Sequence, residues 1–461
     1  MRSTDSGALA LVAAVTLGCG VTAHARTSEF MLDNGMKVVV VEDHRAPVAT
    51  AQVWYRVGSS YEIDGVTGVS HALEHMMFKG TESVPPGEFS RIISENGGTE
   101  NAFTSRDYTA YFQTLSADRL ETAFRLESDR MRNLTLPPEE FAKELEVVKE
   151  ERRLRTEDRP TSLTYERFNA VAFLSSPYRT PVIGWMDDLD HMTVDDLRDW
   201  YARWYAPNNA TLVVAGDVDP QEILALARNY YGVLPRAEIT PPKPRAEIAQ
   251  AGERRVVVKA PAKLPYLLMG YKAPILGTAE ADWEPYALMV AAEVLGGTSG
   301  SRLQRDLVRG REIAASVDAD YDYMDRLPGL FLLDGVPAPG SDVAILEAAL
   351  REQVRQLRDE PVTRDELDRV VARAVAANIF ERDSVFYQAM RVGSADVVGV
   401  DWRVLDELPD RLRAVTPEQV QAVARKYLVD DRLTVGVLDP LPIDAAQTRK
   451  PLNLKGARND V

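Results

Sequence analysis

Two histidines and a glutamate lie within one short, mostly apolar stretch of the sequence, residues 68–78, which contains no proline. Because an α-helix turns by about 100° per residue, His71 and His75 fall on one face of a helix over this stretch. Glu74 falls within the same arc, about 60° to the other side of His71. Two imidazoles one turn apart suit a tetrahedral zinc ion, and a neighbouring carboxylate can take a proton from metal-bound water. The stretch therefore predicts a metal site with a general base beside it.

The two histidines have an alternative interpretation as a satisfied pair inside the protein core. Their scarcity favours the metal, because the chain has five histidines and two of them flank Glu74. The neighbouring Leu73, Met76, Met77 and Phe78 indicate a helix that is buried on several sides. Buried ionisable groups are costly unless they are paired or bound to a metal. The metal interpretation is therefore favoured, and it requires a third ligand.

A helix predicted over residues 138–158, ahead of Pro160, carries two unusual carboxylates. Glu144 and Glu151 lie seven residues apart, so they nearly superpose on a helical wheel, and both fall inside its apolar arc. That arc is formed by Phe141, Leu145, Val147, Val148 and Leu154. The opposite, solvated face is formed by Glu146, Lys149, Glu150 and Arg153. Two carboxylates directed at the interior need a cation, and a metal held by the two histidines would provide one.

The composition restricts the class of protein and its compartment. A net charge of −16 argues against nucleic-acid binding through bulk electrostatics. Residues 1–25 predict a secretory signal, since Arg2 precedes an apolar run and Ala23-His-Ala25 is a small-x-small cleavage site. The single cysteine, Cys19, lies inside this segment, so the mature chain has no thiol nucleophile, disulfide or cysteine-bound zinc. We expect an exported, periplasmic protein, with lipid attachment at Cys19 as the less favoured alternative.

The sequence pattern begins again in the second half of the chain. Residues 193–217 contain a Thr-capped helix, an aromatic end and a closing strand, and residues 416–439 repeat this order about 220 residues later. A proline-rich stretch separates the halves, as expected of a linker. The predicted boundaries are 1–25 for the signal peptide, 26–236 for the first domain, 237–252 for the linker and 253–461 for the second domain. The second copy has no histidine, so any metal belongs to the first.

The chain resembles the pitrilysin/insulinase family of zinc peptidases, in the size class of mitochondrial processing peptidase and its bacterial relatives. The resemblance covers residues 30 to about 442 and rests on four motifs. They are Leu-Asp-Asn-Gly-Met-Lys-Val at 32–38, Gly-Val-Ser-His-Ala-Leu-Glu-His-Met-Met-Phe-Lys-Gly at 68–80, Asn-Gly-Gly-Thr-Glu-Asn-Ala-Phe-Thr at 96–104 and Glu-Leu-Glu-Val-Val-Lys-Glu-Glu at 144–151. The second motif contains His-x-x-Glu-His, the inverted metallopeptidase motif. The family implies an α+β fold of two homologous domains, each a mixed, mostly antiparallel β-sheet covered by helices.

The resemblance also implies a role for each residue at a matching position. His71 and His75 would bind one zinc ion, with Glu151 as the third ligand. Glu74 would be the general base of catalysis. Glu144, one heptad before the third ligand, would assist from beside the metal ligands.

Asn101 and Ala102 match the edge strand on which this family holds a peptide substrate in extended form. Without the resemblance, the ordinary interpretation of these two residues is the exit of a β-hairpin. The family context thus predicts a substrate-binding strand within a pattern that by itself indicates one or two strands over residues 101–113.

The second domain departs from the family pattern at two positions. Relatives that complete the active site from this domain carry an Arg and a Tyr, whereas this chain has Val308 and Ala315 there. A shift by one residue brings Arg309 into place but leaves Ser316 at the position of the Tyr. The resemblance therefore predicts a heterodimer in which a homologous, zinc-less subunit supplies the Arg/Tyr pair.

These patterns together predict a zinc-dependent endopeptidase that hydrolyses short or unfolded peptides in a clamshell chamber. Neither nucleic-acid binding nor a transmembrane segment is expected. The alternative is a catalytically weak peptide-binding or assembly subunit of such a complex. A different hydrolase on a similar metal scaffold is a third possibility, and the predicted substrate strand argues against it.

Overall fold

A computed structural model describes residues 26–443, with the exception of residue 244. The predicted signal peptide, including Cys19, lies outside the described residues. Within the described part of the chain, no helix has the length and apolar character needed to cross a membrane.

The described residues of the first half of the chain fold into one mixed sheet and eight α-helices. Its strands are β1 (Arg26–Met31), β2 (Lys37–Glu42), β3 (Val48–Tyr55), β4 (Thr99–Thr104), β5 (Thr109–Ser116) and β6 (Ala210–Gly216). Its helices are α1 (Val69–Met76), α2 (Glu88–Glu95), α3 (Leu120–Arg132), α4 (Pro138–Arg152), α5 (Pro160–Ala172), α6 (Met186–His191), α7 (Val194–Trp204) and α8 (Pro220–Tyr230). The strand order is β1-β2-β6-β3-β5-β4, and only β2 and β6 pair in parallel.

The second half of the chain repeats this architecture, with no equivalent of β1 among its described residues. Its strands are β7 (Arg254–Pro261), β8 (Tyr266–Ala273), β9 (Ala314–Tyr321), β10 (Gly329–Pro337) and β11 (Leu433–Leu441). Its helices are α9 (Glu284–Leu295), α10 (Val343–Asp359), α11 (Arg364–Glu381), α12 (Val385–Val397), α13 (Val404–Arg413) and α14 (Pro417–Tyr427). The strand order is β7-β11-β8-β10-β9, with β7 and β11 parallel and the other neighbours antiparallel.

The two sheets have the same topology, with β2-β6-β3-β5-β4 equivalent to β7-β11-β8-β10-β9. The repeated sequence pattern corresponds to α7 with β6 and to α14 with β11. Thr193 and Thr416 each close a capping box at the start of these two helices. The predicted fold class, α+β with two homologous domains and mixed, mostly antiparallel sheets, is confirmed.

Each domain contributes one helix to the face of the other domain's sheet. Phe168 of α5 packs against the second sheet, over Gly270 and Gly436, which leave room for its ring. Trp54 of the first sheet packs in turn against α12 at Gly393. The remaining faces of the two sheets pack against their own helices around separate cores.

Three details of α4 differ from the sequence prediction. The α-helix ends at Arg152 and continues as a π-helical turn, Arg153–Glu157, which leads directly into α5. Val147, predicted to lie in the apolar arc, is 50% exposed. Lys149, predicted to be solvated, is buried because α6 covers this side of α4, and its ammonium lies 3.0 Å from Asp190.

The described residues of the predicted linker form neither helix nor strand. Glu247 nevertheless ties the linker to the first domain, because its carboxylate accepts hydrogen bonds from the backbone N–H groups of Leu174, Ser175 and Ser176. These bonds outweigh the effect of burial and lower the pKa of Glu247 to about 2. The domain boundaries themselves remain a prediction.

Candidate active site

The helix that carries the histidines, α1, starts at a tightly constrained turn. Gly68 precedes it with φ of 88°, and a Cβ atom there would lie 2.6 Å from the carbonyl oxygen of Ile183. The first turn of α1 is capped by Glu62, whose carboxylate accepts the N–H groups of Gly68 (2.7 Å) and Ser70 (2.9 Å). These contacts fix where the helix begins and therefore how its side chains are directed.

His71, His75 and Glu151 meet between α1 and the last turn of α4. Nε2 of His71 lies 3.8 Å from Oε1 of Glu151, and Nε2 of His75 lies 3.2 Å from Oε2. One donor atom from each residue falls within a 4.8 Å radius of the others, and no other such group of His, Cys, Asp or Glu occurs among the described residues. Donor atoms of a tetrahedral zinc ion lie about 3.3–3.5 Å apart. The three side chains fit a zinc ion.

Glu144 orients one of the two imidazoles. Its Oε1 lies 3.0 Å from Nδ1 of His75, on the side of the ring away from Glu151, and its Oε2 lies 2.5 Å from Nζ of Lys79. A carboxylate on one ring nitrogen holds the proton there and leaves Nε2 as the donor to a metal. Glu144 thus lies beside the three candidate ligands rather than among them.

The carboxylates make the cluster electrostatically favourable for a bound cation. Burial opposes protonation of His75, but hydrogen bonds with Glu144 and Glu151 outweigh it and raise the pKa of His75 to about 9. Burial likewise opposes ionisation of Glu151, but His75 and His71 outweigh it and lower its pKa to about 2. The pKa of Glu144 is also lowered, because His75 and Lys79 together exceed the effect of burial. A divalent cation would neutralise these carboxylates and displace the proton from the His75 imidazole.

Glu74 lies one residue before His75 and is held by a strand. The hydroxyl of Thr104, the last residue of β4, donates a hydrogen bond of 2.6 Å to its Oε2. Three polar contacts to the site were not predicted from the sequence, namely Thr104 to Glu74, Lys79 to Glu144, and Arg155 to Glu151 (3.0 Å). Thr104 and Lys79 lie inside motifs that match the family, but their partners, Glu74 and Glu144, lie on the helices α1 and α4.

Asn101 and Ala102 lie on β4, the outermost strand of the first sheet. They pair with Phe112 and Tyr111 of β5, and among the described residues no strand pairs with the other edge of β4. Because Thr104 on the same strand contacts Glu74, this open edge ends beside the candidate metal ligands. Its backbone groups are available for an added strand.

The second domain has no counterpart of the metal ligands among its described residues. Its equivalents of α1 and α4 are α9 and α11, and these are joined by an ion pair between Glu293 and Arg373. Val308 is half-buried in a π-helical turn, Gln304–Gly310, and Ala315 is exposed on β9. No side chain at these two positions can donate a hydrogen bond to a substrate.

Comparison with known proteins identifies the class. Residues 37–184 match the family described as "Insulinase (Peptidase family M16)", and residues 191–374 match the "Peptidase M16 inactive domain". The chain is similar to the zinc protease PqqE of Helicobacter pylori, with 31% identity over 94% of this chain and 98% of the relative. It is also similar to an uncharacterized zinc protease of Streptomyces coelicolor, with 27% identity over 95% of both chains. The chain therefore belongs to the M16, or pitrilysin/insulinase, family of zinc proteases.

Solved structures agree with this assignment. The crystal structure of a protease from Helicobacter pylori has a TM-score of 0.85 and 29% identity, covering 90% of this chain and 100% of that one. The first half of the periplasmic protease PqqL from Escherichia coli has the same fold, with a TM-score of 0.74 and 21% identity over 91% of this chain and 94% of that one.

Proposed function

We propose that this protein is a zinc-dependent endopeptidase with its active site in the first domain. The observation that carries the proposal is the convergence of His71, His75 and Glu151 at zinc-donor spacing, with Glu74 on the same helix. His71, His75 and Glu151 would hold the metal, and Glu144 would orient His75 through its Nδ1 atom.

The chain's own residues account for the proton transfers of peptide hydrolysis. A bound zinc ion would supply polarisation of the scissile carbonyl and acidification of the attacking water. Glu74 takes a proton from that water through its carboxylate and delivers it to the nitrogen of the leaving amine. The hydroxyl of Thr104 donates a hydrogen bond to Oε2 of Glu74 and so helps to orient this carboxylate for the proton transfers. As water adds to the carbonyl carbon, the C–N bond breaks, and the products are a carboxylate and an amine.

The open edge of β4 supports extended peptides as the substrate class. A peptide added as a strand beside Asn101 and Ala102 would satisfy backbone groups that no strand of the described chain pairs with. Such pairing needs an unfolded stretch of substrate, so short or unfolded peptides are preferred over folded proteins. The signal-like residues 1–25 support action in the periplasm.

Val308 and Ala315 support a heterodimer as the complete enzyme. Both positions lack the polar side chains that the related Arg/Tyr pair contributes, so a homologous zinc-less subunit would supply that pair. The alternative proposal, a peptide-binding or assembly subunit with weak catalysis, rests on the same two positions.

Zinc content and peptide cleavage test the proposal, with two adjacent glutamates as a matched pair. We expect one zinc per wild-type chain, loss of zinc and activity in Glu151→Gln, and neither loss in Glu150→Gln, whose side chain is 56% exposed and pairs with Arg153. Cleavage of a quenched peptide library should require zinc and rise on adding the zinc-less partner. Full activity of the chain alone would contradict the heterodimer, and zinc without activity in both conditions would favour the binding subunit.

A further inference from the structure

The second domain contacts the turn that joins β4 to β5, and this turn lies next to the candidate active site. This turn, residues 105–108, directly follows Thr104, whose hydroxyl contacts Glu74. Its backbone is fixed from one side by Ser60, whose N–H donates a 2.7 Å hydrogen bond to the carbonyl oxygen of Arg106. The turn therefore determines where the end of β4 lies relative to the candidate general base.

Asp107 is the buried anchor of this turn and is 1% exposed. Its Oδ1 accepts hydrogen bonds from Oγ of Ser60 (2.7 Å) and Nε of Arg326 (3.0 Å). Its Oδ2 accepts from the backbone N–H of Arg326 (3.1 Å) and from the hydroxyl of Tyr178. Four donors saturate the carboxylate, and two of them belong to Arg326 of the second domain.

Arg326 lies in the loop between β9 and β10, the equivalent hairpin of the second sheet. Its Nη2 also donates to Oγ of Ser60 (2.7 Å), and its guanidinium stacks 4.5 Å from the ring centre of Tyr61. The next residue, Leu327, donates its N–H to the hydroxyl of Tyr178 at 3.1 Å. The edge hairpins of the two sheets thus meet at their turns in one hydrogen-bonded junction around the buried Asp107.

We propose that Arg326 is a positioning residue for the peptidase reaction. Arg326 holds the β4–β5 turn through Asp107. This turn positions Thr104 against Glu74 and places the edge of β4 along the metal site. The second domain thereby acts on catalysis within a single chain, although it lacks a metal site and an Arg/Tyr pair. This inference rests on the proposed function, because its effect is on a substrate that pairs with β4.

Substitution of Arg326 in the zinc-loaded chain, assayed with the zinc-less partner present, tests the inference. Arg326→Gln removes the guanidinium donors to Asp107 and Ser60, while the backbone N–H bond to Asp107 and all three candidate zinc ligands stay in place. We expect zinc content to remain one per chain, while kcat/KM on a quenched peptide falls by about 10–100-fold, through a lower kcat and a higher KM. A purely structural role would reduce the amount of folded protein and leave KM unchanged. Arg326→Lys, which keeps the charge without the planar fork, should give an intermediate loss.

Arg45 provides a matched control, since it also joins the two domains. Its guanidinium bonds to Asp383 and to the carbonyl oxygen of Arg382, but it lies away from the β4–β5 turn. Arg45→Gln should keep wild-type kcat and KM. Wild-type kinetics in Arg326→Gln, or an equal loss in both variants, would overturn the inference.

Hydrogen exchange separates this inference from the proposed function. The amides of residues 99–109 should exchange faster in Arg326→Gln than in wild type and Arg45→Gln, whether or not the peptide is cleaved. Unchanged exchange would refute the positioning role of Arg326. A zinc-loaded wild-type chain that cleaves nothing with or without the zinc-less partner, combined with faster exchange in Arg326→Gln, would refute the proposed function and keep the structural link.

Discussion

At the scale of single residues, the site is a set of carboxylates arranged around two imidazoles. His75 lies between Glu144 on its Nδ1 side and Glu151 on its Nε2 side. Lys79 neutralises part of the charge of Glu144, and Arg155 does the same for Glu151. The metal would therefore bind to a cluster in which His75 and Glu151 are already oriented by polar contacts of their own.

Removing the carboxylate that orients His75 should weaken zinc binding without abolishing it. In Glu144→Gln the side chain keeps its size but no longer favours a proton on Nδ1, so we expect the zinc dissociation constant to rise by about 10–100-fold. Competition with a chromogenic chelator measures this constant. Glu146→Gln, two residues away and 66% exposed, is the control and should bind zinc as wild type does. Equal affinities in both variants would contradict the role of Glu144.

The residues that the sequence predicted are those joined by local periodicity. The histidines lie one helical turn apart, and Glu144 and Glu151 share a helix face, so each pair is visible in a single segment. Thr104 and Arg326 could not be found in this way, because their partners lie 30 and 219 residues distant in the chain. A hydroxyl or guanidinium with a distant partner leaves no periodic signal.

At the scale of elements, α5 and α12 each cross to the sheet of the other domain. The sequence predicted the helix that carries the two histidines, the helix that carries Glu144 and Glu151, and one or two strands over residues 101–113, where β4 and β5 lie. It did not predict the exchange of helices, because an amphipathic pattern shows that a helix is covered but not by which sheet.

The contact between α12 and the first sheet predicts an unusual effect of one methyl group. A Cβ atom at Gly393 would lie 2.2 Å from the indole of Trp54, which is fully buried. Gly to Ala inside a helix normally stabilises by up to about 1 kcal/mol, but here we expect Gly393→Ala to lower the free energy of unfolding by about 1–3 kcal/mol. Urea denaturation measures the change.

The neighbouring Ser394 supplies the control for this substitution. Its hydroxyl donates only to the carbonyl oxygen of Arg391 within the same helix, so Ser394→Ala should change stability by less than about 0.5 kcal/mol. A Gly393→Ala variant as stable as wild type would show that α12 does not pack closely on Trp54.

At the scale of the whole molecule, the junction between the domains should make stability depend on pH. Burial raises the pKa of Asp325 to about 7, with further contributions from the carboxylates of Asp322 and Asp107 and an opposing one from Arg106. The folded state therefore holds a proton that the unfolded chain has lost. The contribution of Asp325 to stability should fall as pH rises from about 4 to about 7 and stay level above that range.

The variant Asp325→Asn removes this dependence. We expect it to be more stable than wild type at pH 8 by on the order of 2 kcal/mol and to match wild type near pH 4. Thermal unfolding across this pH range measures the difference. Asp187→Asn, whose side chain is 91% exposed, should follow the wild-type profile. A constant difference between Asp325→Asn and wild type at all pH values would contradict the raised pKa.

The proposed mechanism is tested most directly by comparing zinc-loaded wild type with Glu74→Gln on a quenched peptide library, with the zinc-less partner present. Glu74 is not among the three candidate ligands, so the variant should bind one zinc per chain with wild-type affinity. Loss of the general base should lower kcat by about 10²–10⁴-fold. A Glu74→Gln variant that binds zinc and cleaves peptides at the wild-type rate would contradict the proposed mechanism.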